Sequence, residues 1–180
     1  MKCKITKDRI KPFMSFGKMP IANGFIKKNN FKNEFFFDLE VGFSKKLSLF
    51  QLNNHPKPEQ MFNNNYPFFT SSSNYMLKHF KNFSSWIKKN YGKNLNYLVE
   101  IGSNDGSFLE NFKKSKVKTF GFEPSKNVAL LSKKRGIKTF NNFFNLKSVR
   151  KLDYLKKKVD LITAANVICH VPNLNNLIKS

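Results

Sequence analysis

Tyr97-Leu-Val-Glu-Ile-Gly-Ser-Asn-Asp-Gly-Ser107 decides the fold. A short apolar strand runs into a glycine-flanked turn, after which Phe108, Leu109 and Phe112 predict a helix. The same order repeats downstream. Phe120-Gly-Phe-Glu123 ends a second strand, and Pro124-Ser125 opens a helix with Val128, Ala129 and Leu131 that stops at Gly136. Ile137-Lys-Thr-Phe140 reads as a third strand, a helix carries Leu146, Val149 and Leu152, and Val159–Asn166 is a fourth strand before one more helix. Such alternation predicts an α/β, Rossmann-like fold with a parallel sheet and right-handed crossovers. Four strands make little more than half of a doubly wound sheet, so the expectation is an incomplete one: a fragment, an open sheet, or one completed by another chain.

Upstream, Met76, Leu77, Phe80, Phe83 and Ile87 share one face of a helix capped by Ser73 or Asn74. Before it lies a loop with His55-Pro-Lys-Pro58 and Tyr66-Pro-Phe-Phe-Thr-Ser-Ser-Ser73. The first segment, to about Leu52, is punctuated by Pro12, Gly17, Pro20, Asn23-Gly24 and Gly42. Its runs Phe35–Val41 and Leu47–Leu52 predict a small β-rich module. The expected domains are therefore 1–73 and 74–180.

The chain has 180 residues, with 33 Lys and Arg against 11 Asp and Glu, for a net charge of +22. Its content of 40% hydrophobic and 15% aromatic residues excludes a disordered polycation. No apolar run reaches the roughly 20 residues of a membrane span, and no signal-type stretch follows Met1, so a cytoplasmic protein without membrane contact is expected. Cys3 and Cys169 form no Cys-x-x-Cys pair. The lysines are scattered along the whole length rather than gathered in a stripe. They accompany abundant Asn, Phe and Ile, all with A/T-rich codons, so base composition accounts for the charge and nucleic acid is not expected as a partner.

The turn itself carries chemistry. Gly102 allows a sharp bend beneath a ligand, Gly106 allows close approach, and Asp105 offers an acceptor at the crevice. The spacing Gly-x-x-x-Gly is not the pyrophosphate-cradling Gly-x-Gly-x-x-Gly, which disfavours NAD and FAD. Glu123 follows Gly102 by 21 residues, where a carboxylate takes ribose hydroxyls. Glu100, Asp105, Glu110 and Glu123 concentrate acid in a very basic chain. That suits a cofactor with a ribose and a positive charge but no phosphate, a description met by S-adenosylmethionine.

Val99–Leu109, Gly121-Phe-Glu-Pro-Ser125, Gly136–Thr139, Phe143-Phe144 and Asn166-Val-Ile-Cys-His-Val-Pro172 closely resemble the sugar C-methyltransferase family, as do Gly17–Asn23, Gln51-Leu52 and Tyr66–Ser73. The resemblance implies a class I methyltransferase fold and transfer of a methyl group from S-adenosylmethionine to a carbon of a nucleotide-linked deoxysugar. It places Gly102, Ser103, Asn104, Asp105 and Gly106 around the methionine and ribose of the cofactor. Glu123 with Pro124 would meet the ribose, and Phe143 or Phe144 the adenine. It makes His170, Asn166 and Tyr66 the catalytic candidates, with His170 as a base working near neutral pH.

Three departures qualify the likeness. The family opens with a zinc module of two Cys-x-x-Cys pairs, whose positions fall here on Cys3, Thr6, Ser44 and Leu47. One thiolate does not hold a tetrahedral zinc, so no metal is expected and packing of Phe35, Phe36, Phe37, Phe43 and Phe50 would hold the module instead. The second aromatic position of the family's tyrosine loop is Phe68, leaving Tyr66 as its one phenol, while Ser71-Ser-Ser73 would bind a sugar or phosphate or cap the following helix. Family members also continue for about as long again, into a portion that contributes to the sugar site. Two rival expectations follow: a truncated, inactive homologue that at most binds the cofactor, and a basic nucleic-acid methyltransferase, which would need a basic groove where this sequence places acids.

Overall fold

The structure is a computed structural model and describes residues 1–152 and 159–180. It divides into two compact units, one of Met1–Met61 with Val171–Ile178, the other of Phe62–His170 with Lys179–Ser180.

The first unit is a three-stranded antiparallel sheet in the order β1 (Pro12–Pro20), β2 (Phe36–Ser44), β3 (Leu49–Leu52). The short helix α1 (Pro58–Met61) follows. Strands β2 and β3 lie where apolar runs predict them. Strand β1 is hidden in the sequence by its turn-forming residues. It is an edge strand whose pairing with β2 slips between Pro12 and Met14 and again between Ser15 and Lys18, with Gly17 in the left-handed region at φ +70°. Prolines at its two ends and a glycine at a bulge are what an edge tolerates. The phenylalanines expected to form this unit's interior are not buried: Phe50 touches Phe13 and Phe43, but Phe35, Phe36 and Phe50 all stand exposed. Its buried residues are Cys3, Gly42, Ser44, Gln51 and Pro56 instead. Burial alone would raise the Cys3 thiol, but hydrogen bonds from Thr6, Gln51 and the Ile5 backbone bring it down to about 6.

The second unit begins its regular structure with α2 (Asn74–Tyr91), whose first turn is capped by Ser73 Oγ accepting from the Met76 N–H at 3.3 Å. Phe80 and Ile87 are buried and Met76 and Phe83 partly so, as the spacing of apolar residues predicts, while Leu77, expected on the same face, is exposed. A parallel sheet follows, with β4 (Tyr97–Ile101), β5 (Lys118–Phe122), β6 (Thr139–Phe140) and β7 (Leu161–Thr163) in the order β6-β5-β4-β7. Helices α3 (Lys126–Lys134) and α4 (Leu146–Arg150) are the crossovers after β5 and β6. This is the Rossmann-like α/β architecture that the strand, turn, helix rhythm predicts.

Several elements are shorter than expected: the third strand, read over 137–140, is β6 at Thr139–Phe140, and the fourth, read over 159–166, is β7 at Leu161–Thr163. After β4 the chain makes only a 3-10 turn over Leu109–Phe112, although Phe108, Leu109 and Phe112 are fully buried as their spacing requires. Polar Lys113-Lys114-Ser115-Lys116 supplies no further apolar residue to extend the face, and the Ser115 hydroxyl closes the turn by donating to the Phe112 carbonyl. The last helix, α5 (Leu174–Ile178), belongs to the first unit, where the Asn175 carboxamide donates to the Ile5 carbonyl at 3.3 Å.

Candidate functional site

The site grows from the end of β4. The N–H groups of Gly102 and Ser103 both donate to the Phe122 carbonyl, at 2.8 and 3.0 Å, which pins the turn across the end of β5. Gly102, Asn104 and Gly106 adopt φ of +68°, +50° and +79°, so every second residue of the turn is left-handed. Glycine takes that region freely and asparagine is among the few side chains that tolerate it, which explains Gly-x-Asn-x-Gly from backbone alone. The two glycines open onto different neighbours. A Cβ on Gly102 would lie 2.5 Å from Val167 Cγ2, in the loop after β7. One on Gly106 would meet Ser132 of α3 at 2.6 Å, so this glycine serves helix packing.

The side chains of the turn hold a neighbouring segment. Asn104 Oδ1 accepts from the N–H groups of Thr70 and Asp105, both at 2.9 Å, while its Nδ2 donates to the Phe68 carbonyl at 3.0 Å. Asp105 is fully buried. Its Oδ2 accepts from the Ser71 N–H at 2.9 Å, and its Oδ1 accepts from the Ser107 hydroxyl at 2.6 Å and faces Arg135 Nη1 at 3.4 Å. Burial would raise this carboxyl, but Ser107, Ser71 and the Arg135 charge hold it below the ordinary range. Arg135, just past α3, also donates to the Asp105 carbonyl and the Ser107 hydroxyl. It closes the turn from behind, a role that no local pattern announces.

Glu123 stands at the end of β5 and is buried. Oε2 accepts from the Asn104 N–H at 2.9 Å and Oε1 from the Ser125 N–H at 2.7 Å. Burial raises this carboxyl despite those bonds, and Asp105 adds to the rise. Glu100, inside β4, goes further up: it is wholly buried, repelled by Glu123 and Asp105, and its Oε2 has no hydrogen-bond partner among the described residues. Ser103 Oγ is likewise buried without a partner among them. Pro124 is fixed through Asn141, whose carboxamide donates to the carbonyls of Glu123 and Pro124, each at 2.8 Å.

Three of the remaining candidates, Tyr66, Phe143 and His170, gather around Phe62, a residue that no sequence motif singles out. Its ring lies 5.7 Å from Tyr66, 6.4 Å from Phe143 and 5.8 Å from His170. Tyr66 exchanges backbone hydrogen bonds with the Asn127 carboxamide, and burial together with the charge of Glu123 raises its phenol. Phe144 is separated from this group. It is partly buried and packs edge-on against Phe122, 5.0 Å away, beside the core cluster of Val99, Phe120 and Leu152. Asn166 is exposed and left-handed at φ +53°, three residues after the end of β7, and His170 ends a 3-10 turn three residues beyond Val167.

A parallel sheet whose first strand ends in a glycine turn, with acids at the turn and at the tip of the next strand, defines the α/β proteins that bind a nucleoside-bearing cofactor at their switch point. Residues 76–180 match a family model described as "Methyltransferase domain", and the chain belongs to that family. Residues 3–62 match one described as "Putative zinc binding domain". The chain is similar to the C-methyltransferase NovU of Streptomyces niveus, 22% identical over 168 residues that cover 92% of this chain and 40% of that protein. It thus spans about two fifths of the length of that curated relative. Among solved structures it is similar to the plantazolicin methyltransferase BpumL in complex with SAH, at 18% identity and a TM-score of 0.43, covering 56% of this chain and 38% of that one.

The cofactor of such a domain is S-adenosylmethionine. The residues present fit it in charge: a buried carboxyl oxygen without a partner among the described residues, beside two further carboxyl groups, suits a cationic ligand lacking phosphate. Among the described residues no helix is long and apolar enough to cross a membrane.

Proposed function

We propose that the chain binds S-adenosylmethionine at the glycine turn and serves C-methylation of a nucleotide-linked deoxysugar. The observation that carries this reading is the buried trio Glu100, Asp105 and Glu123 around Gly102, with Glu100 Oε2 left without a partner among the described residues. The cofactor supplies an electrophilic methyl group on a sulfonium. Glu100 and Glu123 would hold its positive and ribose ends, with Gly102 to Gly106 and Pro124 framing it and Phe143, on the Phe62 cluster, toward its adenine. His170 would remove the proton from the carbon next to the sugar ketone, and Asn166 and Tyr66 would donate to the enolate oxygen that forms. Similarity to a C-methyltransferase supports the carbon acceptor. The nearness of Tyr66 and His170 to one phenylalanine supports their working together.

A second reading is a chain that binds the cofactor without turning substrate over alone. What favours it is Val167, whose methyl group rests on Gly102 where a ligand would lie, so that binding requires this side chain to move. Titration calorimetry with S-adenosylmethionine tests the shared step. Binding heat that falls at least tenfold in affinity in Glu123→Ala is expected, and no heat at millimolar ligand would overturn both readings. Incubation with labelled donor and a nucleotide-linked keto-deoxysugar then separates them, since label in the sugar carbon supports the first and binding without transfer the second.

A further inference from the structure

We infer that the N-terminal unit keeps the two-turn scaffold of a zinc-binding domain but folds without zinc, with the Gln51 carboxamide making the cross-link that a metal would make. The scaffold is visible in backbone geometry. In the turn Cys3–Lys7, the Lys7 N–H donates to the Cys3 carbonyl at 3.0 Å and Lys7 is left-handed at φ +66°. In the turn Ser44–Ser48, the Leu47 N–H donates to the Ser44 carbonyl at 3.3 Å and Ser48 is left-handed at φ +49°. Each turn thus places a non-glycine residue in an unfavourable region four positions after its first residue, and in the first turn the Lys7 ammonium donates to the Lys4 carbonyl at 2.7 Å. Those first residues, Cys3 and Ser44, are buried at 0% and 2% exposure.

The donor set does not fit the metal. Structural zinc takes four thiolate, imidazole or carboxylate ligands, whereas Cys3, Thr6, Ser44 and Leu47 offer one sulfur, two hydroxyls that stay protonated, and an alkyl chain. Among the described residues, which include all of 3–62, no three His, Cys, Asp or Glu side chains are placed to hold a metal ion. The link is made otherwise. From β3, Gln51 Nε2 donates to Cys3 Sγ at 3.3 Å and Gln51 Oε1 accepts from the Lys4 N–H at 2.7 Å. Gln51 also pairs with Gly42 of β2, so one side chain ties the first turn to the sheet that carries the second. The Cys3 N–H donates to the Asp8 carbonyl at 2.8 Å, and the Asp8 carboxylate meets Lys46 of the second turn at 3.6 Å on the surface. This inference is independent of methyl transfer.

The test is elemental analysis of the full chain after dialysis with equimolar zinc and then metal-free buffer, with thermal unfolding followed by far-UV circular dichroism. Less than about one zinc per ten chains and no shift of the transition with chelator are expected, while close to one zinc per chain and a transition lowered by chelator would overturn the inference. Gln51→Ala should lower the transition of the unit by about 3 °C or more, and an unchanged transition would overturn the bridge. Thr6→Cys, Ser44→Cys and Leu47→Cys combined should give a chain that takes up one zinc. A folded triple variant that binds none would overturn the retained scaffold.

Discussion

Both units are rich in phenylalanine, and they use it in opposite ways. In the second unit Phe108, Phe112 and Phe122 lie beneath helix and sheet with almost no exposed surface, whereas in the first Phe13, Phe16, Phe36 and Phe50 stand about half in solvent. The polar groups invert as well, since Cys3 and Gln51 are central to the first unit while the second keeps its buried carboxyl groups at one turn. Apolar content alone therefore makes no core. A sheet must be covered by a second layer, as α2 and the Leu109–Phe112 turn pack beside β4, and three antiparallel strands with two slips in register offer little area to cover.

This contrast should show most strongly in the phenylalanines themselves. Phe108→Ala should cost about 3–5 kcal/mol, and Phe16→Ala, at 54% exposure, under about 1 kcal/mol. Urea unfolding followed by Trp86, the one tryptophan and a residue of the second unit, reads the former, and far-UV circular dichroism the latter. Equal losses would show that the first unit has an apolar core after all.

Ion pairs should sort the same way. Asp105→Ala removes a buried carboxylate from Ser71, Ser107 and Arg135 and should cost about 3 kcal/mol in the same urea experiment, while Asp8→Ala breaks an exposed pair and should stay within about 0.5 kcal/mol. Because Asp105 is held below its ordinary range, its contribution is present above that range and disappears as pH falls through the lowered value.

Two left-handed glycines sharpen the contrast further. Gly17→Ala meets nothing within 4 Å and should cost about 1 kcal/mol for its backbone, whereas Gly102→Ala adds a collision with Val167 and should cost at least about 2 kcal/mol, read from unfolding midpoints.

One substitution has the opposite sign. Glu100→Gln should stabilise the second unit by about 1 kcal/mol at pH 8, because the native carboxyl is raised well above its ordinary value and ionising it opposes folding. The penalty is absent below the ordinary carboxylate range and grows as pH rises toward the raised value, so the gain should shrink in melting curves taken at pH 5.

Much of the site is legible in the amino-acid sequence because it rests on local chemistry. The Ser73 cap of α2, the alternation that gives β4 to β7, and the glycines of the turn all follow from periodicity or from a φ that few residues adopt. What escapes such reading is either disguised or remote. Strand β1 is disguised by prolines and a glycine that mark turns elsewhere, and the short turn after Phe108 reflects how little chain remains before β5.

By itself, then, the sequence determined the order of strands, the bend at Gly102 and a carboxyl group at the end of β5, since each is a property of a few consecutive residues. Only the tertiary structure decided that Asn104 and Asp105 grip Phe68–Ser71, that Arg135 braces them, and that Phe62 draws Tyr66, Phe143 and His170 together. Most of these contacts join residues about 30 to more than 100 positions apart. They exist only once the chain has closed on itself, because a hydrogen bond or ring contact is fixed by distance in space and leaves no periodic trace along the chain.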